Sequence, residues 1–216
     1  MDSIRVRQHV NPLGIKYRDP IALPDWSNLY SDMTQPFHLD IGSARGQFLL
    51  GMAQDYPDWN FLGLEIREPL VNFSNGLRDE LNLANLHFLF CSANPSPNPL
   101  LASLPTDALQ RVTIQFPDPW FKRRHRKRRV VQPDLVEAIA TNLAPGGTLF
   151  LQSDIEGVAV DMRDHFMHHA AFAPQWDLAK DWYPTSLFSV ATEREVMTSE
   201  KGQPIYRSLF LRKENV

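Results

Sequence analysis

Apolar residues fall in short, nearly continuous runs, and the stretches between them carry a helical rather than a strand period. Runs at 37–41, 60–66, 86–91, 111–116 and 148–152 read as strands buried on both faces. Residues 47–55 place Phe48, Leu49, Met52 and Ala53 on one helical face, and 68–81 do the same with Leu70, Val71, Phe73, Leu77 and Leu81. Further helices are predicted over 133–143, with proline in its first turn, and over 158–169. The prolines of 95–104 allow only a short helix. In the tail, 189–196 and 205–212 read as two β segments joined around Lys201-Gly202. Strands alternating with helices predict an α/β fold: a mostly parallel seven-stranded sheet, helices on both faces, closed by a C-terminal antiparallel hairpin. Residues 1–36 read as a partly ordered N-terminal arm and 37–216 as one domain, with no repeat or linker to mark a second.

One stretch interrupts this pattern. The strand ending at Phe116 runs into Pro117-Asp118-Pro119-Trp120, and seven of the eight residues from Lys122 to Arg129 are Lys or Arg. Proline cannot donate to a ladder, so the strand stops there. A residue before proline is pushed to extended backbone, which predicts extended Phe116 and Asp118. Net charge is −3 overall, yet outside these eight residues 15 Lys and Arg face 25 Asp and Glu. A polyanion repelled by most of the surface would thus meet one attractive patch, and nucleic acid is the expected partner. The alternatives are a solvated loop or a localisation signal. Arg5, Arg7, His9, Lys16 and Arg18 of the arm would add phosphate contacts, unless the arm is a mobile tail.

The single cysteine, Cys91, excludes an internal disulfide and suits a reducing cytoplasm. The first ten residues lack an apolar core for export, and no run reaches the roughly 18 apolar residues of a membrane helix.

Candidate chemistry gathers where strands end. The first strand closes in Asp40-Ile-Gly42-Ser-Ala-Arg-Gly46, glycines that bring backbone close to a ligand. Its spacing is not that of a dinucleotide fingerprint, which argues against a nicotinamide enzyme. Glu65 closes the second strand, where an acid can accept from ribose hydroxyls. Ser92 follows the third strand, Asp118 the fourth and Asp154 the fifth. Trp120 would stack on a base or belong to the core. The alternative for Asp154 is a cap on the next helix, and Thr192 to Glu195 would by pattern alone be a self-neutralising charged turn. His165, His168 and His169 share a helix face with Asp161 and Asp164, but a polar face is favoured over a metal site. Cys91 reads as core rather than nucleophile.

Taken together, these segments resemble the bacterial tRNA (guanine-N7)-methyltransferases, enzymes with the Rossmann-like class I methyltransferase fold. The resemblance rests on residues 40–46, Gly63-Leu-Glu65, Phe116-Pro-Asp-Pro-Trp120 with Lys122 and 127–132, Gly147 through Asp154, and Thr192-Glu-Arg-Glu195 before Gly202; it covers about 37–212. It implies S-adenosylmethionine as cofactor, lined by Asp40, Gly42, Gly46, Glu65, Ser92 and Asp118. It makes Asp118 the active-site acid, and Lys122, Asp154, Thr192, Glu193, Arg194 and Glu195 the holders of tRNA or its target guanosine in the variable loop. It implies tRNA as the partner of the basic segment from Lys122 to Arg129; the residues themselves predict no membrane and no metal. Two positions depart from the family pattern: Ala44 replaces the middle glycine of the first loop, and Ser92 an aspartate. The rivals are a non-catalytic RNA-binding module on the same fold and a nucleotide-dependent oxidoreductase.

Overall fold

The computed structural model describes residues 10–17, 22–93 and 97–214. The arm residues Arg5, Arg7, His9 and Arg18 lie outside them. The chain order is β1 (Phe37–Ile41), α1 (Gln47–Asp55), β2 (Asn60–Glu65), α2 (Glu68–Glu80), β3 (Leu86–Phe90), α3 (Asn98–Ala102), β4 (Leu109–Gln115), a 3-10 helix (Arg123–Arg128), α4 (Pro133–Asn142), β5 (Thr148–Ser153), α5 (Glu156–Met167), β6 (Phe172–Pro174), α6 (Glu193–Glu200) and β7 (Tyr206–Arg212). The strands form one sheet in the order β3-β2-β1-β4-β5-β7-β6. The first five are parallel, while β7 runs antiparallel to both β5 and β6.

The period-two alternation divides each strand between two cores. On β1, Phe37, Leu39 and Ile41 join the large cluster beneath α3, α4 and α5. Across the sheet, Phe61, Leu86 and Phe88 pack with Phe48, Leu49 and Met52 of α1 and with Phe188. Apolar residues on both faces are why these strands read as unbroken runs. The residues before β1 also reach the interior: the Trp26 indole donates to Ser103 Oγ at 3.0 Å and the Tyr30 hydroxyl to the Phe61 carbonyl at 2.9 Å.

The tail needs correction. The antiparallel closure exists, but its partners are β6 and β7, and residues 193–200 are helix rather than strand. The deciding signal is a capping pair: Thr192 Oγ1 accepts from the Glu195 backbone N–H at 3.1 Å. A Thr three residues ahead of a Glu is a helix start, and it outweighs the weak alternation around it. The connection between β6 and α6 crosses the sheet. Its Phe188 stacks on His38, 5.5 Å between ring centres, and meets the Phe48 and Phe150 rings edge-on.

A second correction concerns the proline corner. Phe116 is not extended but left-handed, with φ of 48°, and Trp120 has φ of 42°. Phe116 still donates its N–H to the Gln152 carbonyl at 2.8 Å, so the chain must reverse abruptly where the ladder ends. Ladder geometry overrides the local preference of a residue before proline.

Candidate active site

In this strand order the direction of winding reverses between β1 and β4, and a crevice opens over the C-terminal ends of the strands at that point. It is a cavity of about 570 Å³. The first glycine loop lines one side and the Pro117-Asp118-Pro119 corner the other. Glu65, Ser92, Asp154, Thr192, Glu193 and Arg194 complete the wall, with Ile41, Phe48, Ile66 and Ala93 as its apolar part. Val10 and Pro12 also reach it.

Register explains why the polar groups converge. Asp40 pairs with Thr113, Gln115 with Gln152, and Gln152 with Arg207 on adjacent strands, so their side chains share one face. They are linked in a buried row. His38 Nε2 and Thr113 Oγ1 lie 3.1 Å apart, and the Thr113 hydroxyl donates to Asp40 Oδ1 at 2.6 Å. Gln115 donates to the same oxygen at 3.3 Å and accepts from Gln152 at 2.8 Å. Gln152 donates to Glu195 at 3.0 Å, and Arg207 donates to Glu195 at 2.9 Å. Because the Thr113 proton points to Asp40, Nε2 of His38 must be the protonated nitrogen. Burial, reinforced by Arg111, holds His38 well below its usual range, as a neutral ring. Burial also raises Asp40 to about 6; bonds from Thr113 and Gln115 oppose this, and the Glu65 charge adds to it.

Glu65 is saturated. Its carboxylate accepts from the backbone N–H groups of Ala44 and Arg67, each at 2.9 Å, and from the Arg67 guanidinium at 2.8 and 3.0 Å. Burial alone would lower the Arg67 pKa, but Glu65, and secondarily Asp118, hold it above its ordinary value. Arg67 thus stands electrostatically between the acids of the second and fourth strands. The sequence signal was present, a cation two residues beyond a strand-end acid, but nothing in spacing alone marks it as the partner.

The predicted residues sort by position. Asp40, Gly42, Glu65, Ser92 and Asp118 line one cavity, joined by Asp154, Thr192, Glu193 and Arg194. Gly42 has φ of 89°, and nothing lies within 4 Å of where its Cβ would be, which leaves an open cradle for a ligand. Ala44 adopts φ of 50°, the conformation a glycine would take there, and its N–H is committed to Glu65. Gly46 lies off the cavity wall: a Cβ there would stand 2.5 Å from the Phe88 ring, so this glycine serves packing. Glu195 is buried beneath the wall rather than on it. Asp154 caps no helix; it forms an ion pair with Arg194. Lys122 is exposed, away from the cavity lining. Trp120 does line the cavity, with the Arg128 guanidinium 5.0 Å from its ring centre, and Phe121 beside it is 74% exposed.

The basic segment is not uniform. Arg126 and Arg129 both pair with Asp161, Arg128 covers Trp120, and Lys122, Arg123, Arg124 and Lys127 face solvent. In the histidine cluster, Asp161 is thereby engaged, His169 lies 3.2 Å from Glu137, and His168 Nδ1 approaches the Asp164 carbonyl at 2.6 Å. Cys91 touches the cavity, but burial pushes its thiol up to about 12, so it stays protonated and unreactive. Lys16 of the arm lies over the Tyr17 and Phe90 rings. Among the described residues no helix is long and apolar enough to cross a membrane.

A seven-stranded sheet of this order with a strand-end cavity is the class I methyltransferase architecture. Solved structures bear this out for the fold: a 16S rRNA methyltransferase aligns with TM-score 0.58 at 13% identity, over 91% of this chain and 97% of that one. An aminoglycoside resistance methyltransferase gives 0.56 at 17%, over 85% and 88%. The profile of a family described as "Putative methyltransferase" matches residues 34–208. A tRNA (guanine-N(7)-)-methyltransferase of Trichormus variabilis is 59% identical, over 97% of this chain and 96% of its own length. One of Microcystis aeruginosa is 58% identical, over 97% and 99%. The chain therefore belongs to the tRNA (guanine-N7-)-methyltransferase family.

Proposed function

We propose that this chain methylates N7 of a guanosine in the variable loop of tRNA, in one domain from residue 37 onward, and that it works in the cytoplasm. The supporting observation is that the first glycine loop, Glu65 and the Asp118 corner line a single cavity. The donor of this family is S-adenosylmethionine, and the lining suits it. A cavity of about 570 Å³ takes a nucleoside. Asp40, Glu65 and Asp118 supply negative potential for a cationic ligand, and Ile41, Phe48 and Ile66 apolar surface for a base. Gly42 admits close backbone approach, Glu65 accepts from ribose hydroxyls in exchange for the side-chain donors of Arg67 that now fill it, and Ser92 adds a hydroxyl to the lining.

When bound, the cofactor supplies a sulfonium methyl, which joins the lone pair of guanine N7 as the carbon–sulfur electron pair returns to sulfur. N7 carries no proton, so the protein needs no general base there. Its contribution is alignment, which can account for about 7 kcal/mol or more of barrier lowering. Asp118 accepts from the N1–H and N2–H₂ edge of guanine and so fixes N7 in line. Trp120 and Phe121, at the cavity mouth, offer stacking surface for a base taken out of its helix. Asp154, Thr192, Glu193 and Arg194 face the substrate across the cavity, with Glu195 supporting them from below. Lys122, Arg123, Arg124 and Lys127 attract phosphate.

The test is mass spectrometry of nucleosides from tRNA incubated with enzyme and labelled methyl donor, with fragment mapping to locate the modified base. N7-methylguanosine in the variable loop is expected, and Asp118→Ala should lose at least about 100-fold in rate while tRNA still binds. Near-normal turnover in that variant removes Asp118 from its role.

A further inference from the structure

The corner that carries Asp118 is strained at both ends. Phe116 and Trp120, neither of them glycine, sit at φ of 48° and 42°. Such a conformation is costly for a residue with a Cβ and persists only where its surroundings dictate it. The ladder bond from Phe116 to Gln152 fixes one end. At the other, the Arg129 Nε–H donates to the Pro119 carbonyl at 3.0 Å, across ten residues of chain. The same guanidinium holds Asp161 of α5, Nη1 to Oδ2 at 3.0 Å. Its side chain is 16% exposed, against 67% for Arg126, which shares the same carboxylate.

We infer that Arg129 is not a phosphate contact but a positioning residue, which with Asp161 ties the Pro119 carbonyl to α5 and thereby sets the Asp118 carboxylate. Three features separate it from the rest of the basic run. Its guanidinium is largely buried, its planar fork spans two acceptors at once, and one of these belongs to the residue next to Asp118. Asp161 does double service. It pairs with the exposed Arg126 as well as with the inward Arg129, while Lys122, Arg123, Arg124 and Lys127 face solvent.

The inference rests on the reading of Asp118 as substrate positioner, and the experiment keeps the two apart. Arg129→Met, Arg129→Lys and Asp161→Asn are compared with Asp118→Ala and Arg124→Ala in steady-state kinetics on tRNA at several salt concentrations, with cofactor titration to verify folding. For Arg129→Met, kcat should fall about tenfold or more, while the dependence of log KM on log salt keeps its parent slope. Asp161→Asn should do likewise, and Arg129→Lys, which keeps the charge but not the fork, should recover part of kcat. Arg124→Ala should instead raise KM and lower the slope by about 0.7. A parent-like kcat in Arg129→Met, or a slope lowered as in Arg124→Ala, overturns the inference. Should Arg129→Met fail to bind cofactor, the same criteria apply to Arg129→Lys and Asp161→Asn. A fully active Asp118→Ala would instead sink the underlying reading.

Discussion

The two walls of the cavity are built on opposite principles. On the β1–β2 wall the acids are buried and satisfied: Asp40 and Glu65 are 4% and 2% exposed, and each is fixed by neighbours before any ligand arrives. On the β4 wall the charge is cationic and mostly solvated, carried by a 3-10 helix with no buried side chain. A small cofactor needs a dry, preorganised pocket, where hydrogen bonds to charged groups are strong. A polynucleotide needs long-range attraction and tolerance of register, which exposed cations provide. Asp118 and its corner stand at the boundary, belonging to the cavity but tethered through the basic segment.

Four measurements sharpen or break that contrast. The largest effect is expected for Glu65→Ala, which should weaken S-adenosylmethionine binding about 100-fold by calorimetry, since two charge-assisted acceptors are lost. Undiminished affinity would place the ribose elsewhere. Next, alanine at Arg123, Arg124 and Lys127 together should weaken tRNA binding about tenfold or more near physiological salt and flatten its salt slope by about 2, leaving cofactor affinity as it was. An unchanged slope would mean that phosphates are held by another surface. Third, Gly46→Ala should destabilise the fold by about 2 kcal/mol in urea, because its φ of 73° and the Phe88 ring at 2.5 Å both resist a Cβ; parent-like stability would show that the ring can give way.

The smallest effect concerns pH. The Asp40 pKa is raised in the fold from 3.8 to about 6, so the native state binds this proton more tightly than the unfolded chain. Its contribution is therefore complete below pH 3.8 and is lost as pH rises towards 6. The ceiling is about 3 kcal/mol, and Asp40→Asn should regain about 1 kcal/mol of it above pH 6, because the new amide needs its own acceptor. Melting curves at pH 4 and pH 7.5 give the check: the variant's advantage should be confined to the higher pH. An advantage at both would assign the effect to packing.

Much of this molecule is legible in the chain. Doubly buried strands write themselves as unbroken apolar runs, and a strand-end acid or glycine betrays a ligand edge because few structural duties need one there. Local capping chemistry was legible too, in Thr192 and Glu195, although the surrounding alternation favours a strand. What composition cannot express is partnership across the fold. Nothing near Arg129 in sequence distinguishes it from Arg124, yet one turns inward to Asp161, 32 positions away in the chain, and the other faces water. Gly46 reads as a ligand contact from its loop alone, and the fold sets it against the Phe88 ring. The left-handed Phe116 contradicts its own dipeptide preference because a ladder bond from a neighbouring strand dictates it. Local propensity and hydrophobic period are properties of neighbouring residues and are fixed by the sequence alone. Which charge meets which, and which strained corner is held, depends on contacts between distant segments, and those exist only once the chain has folded.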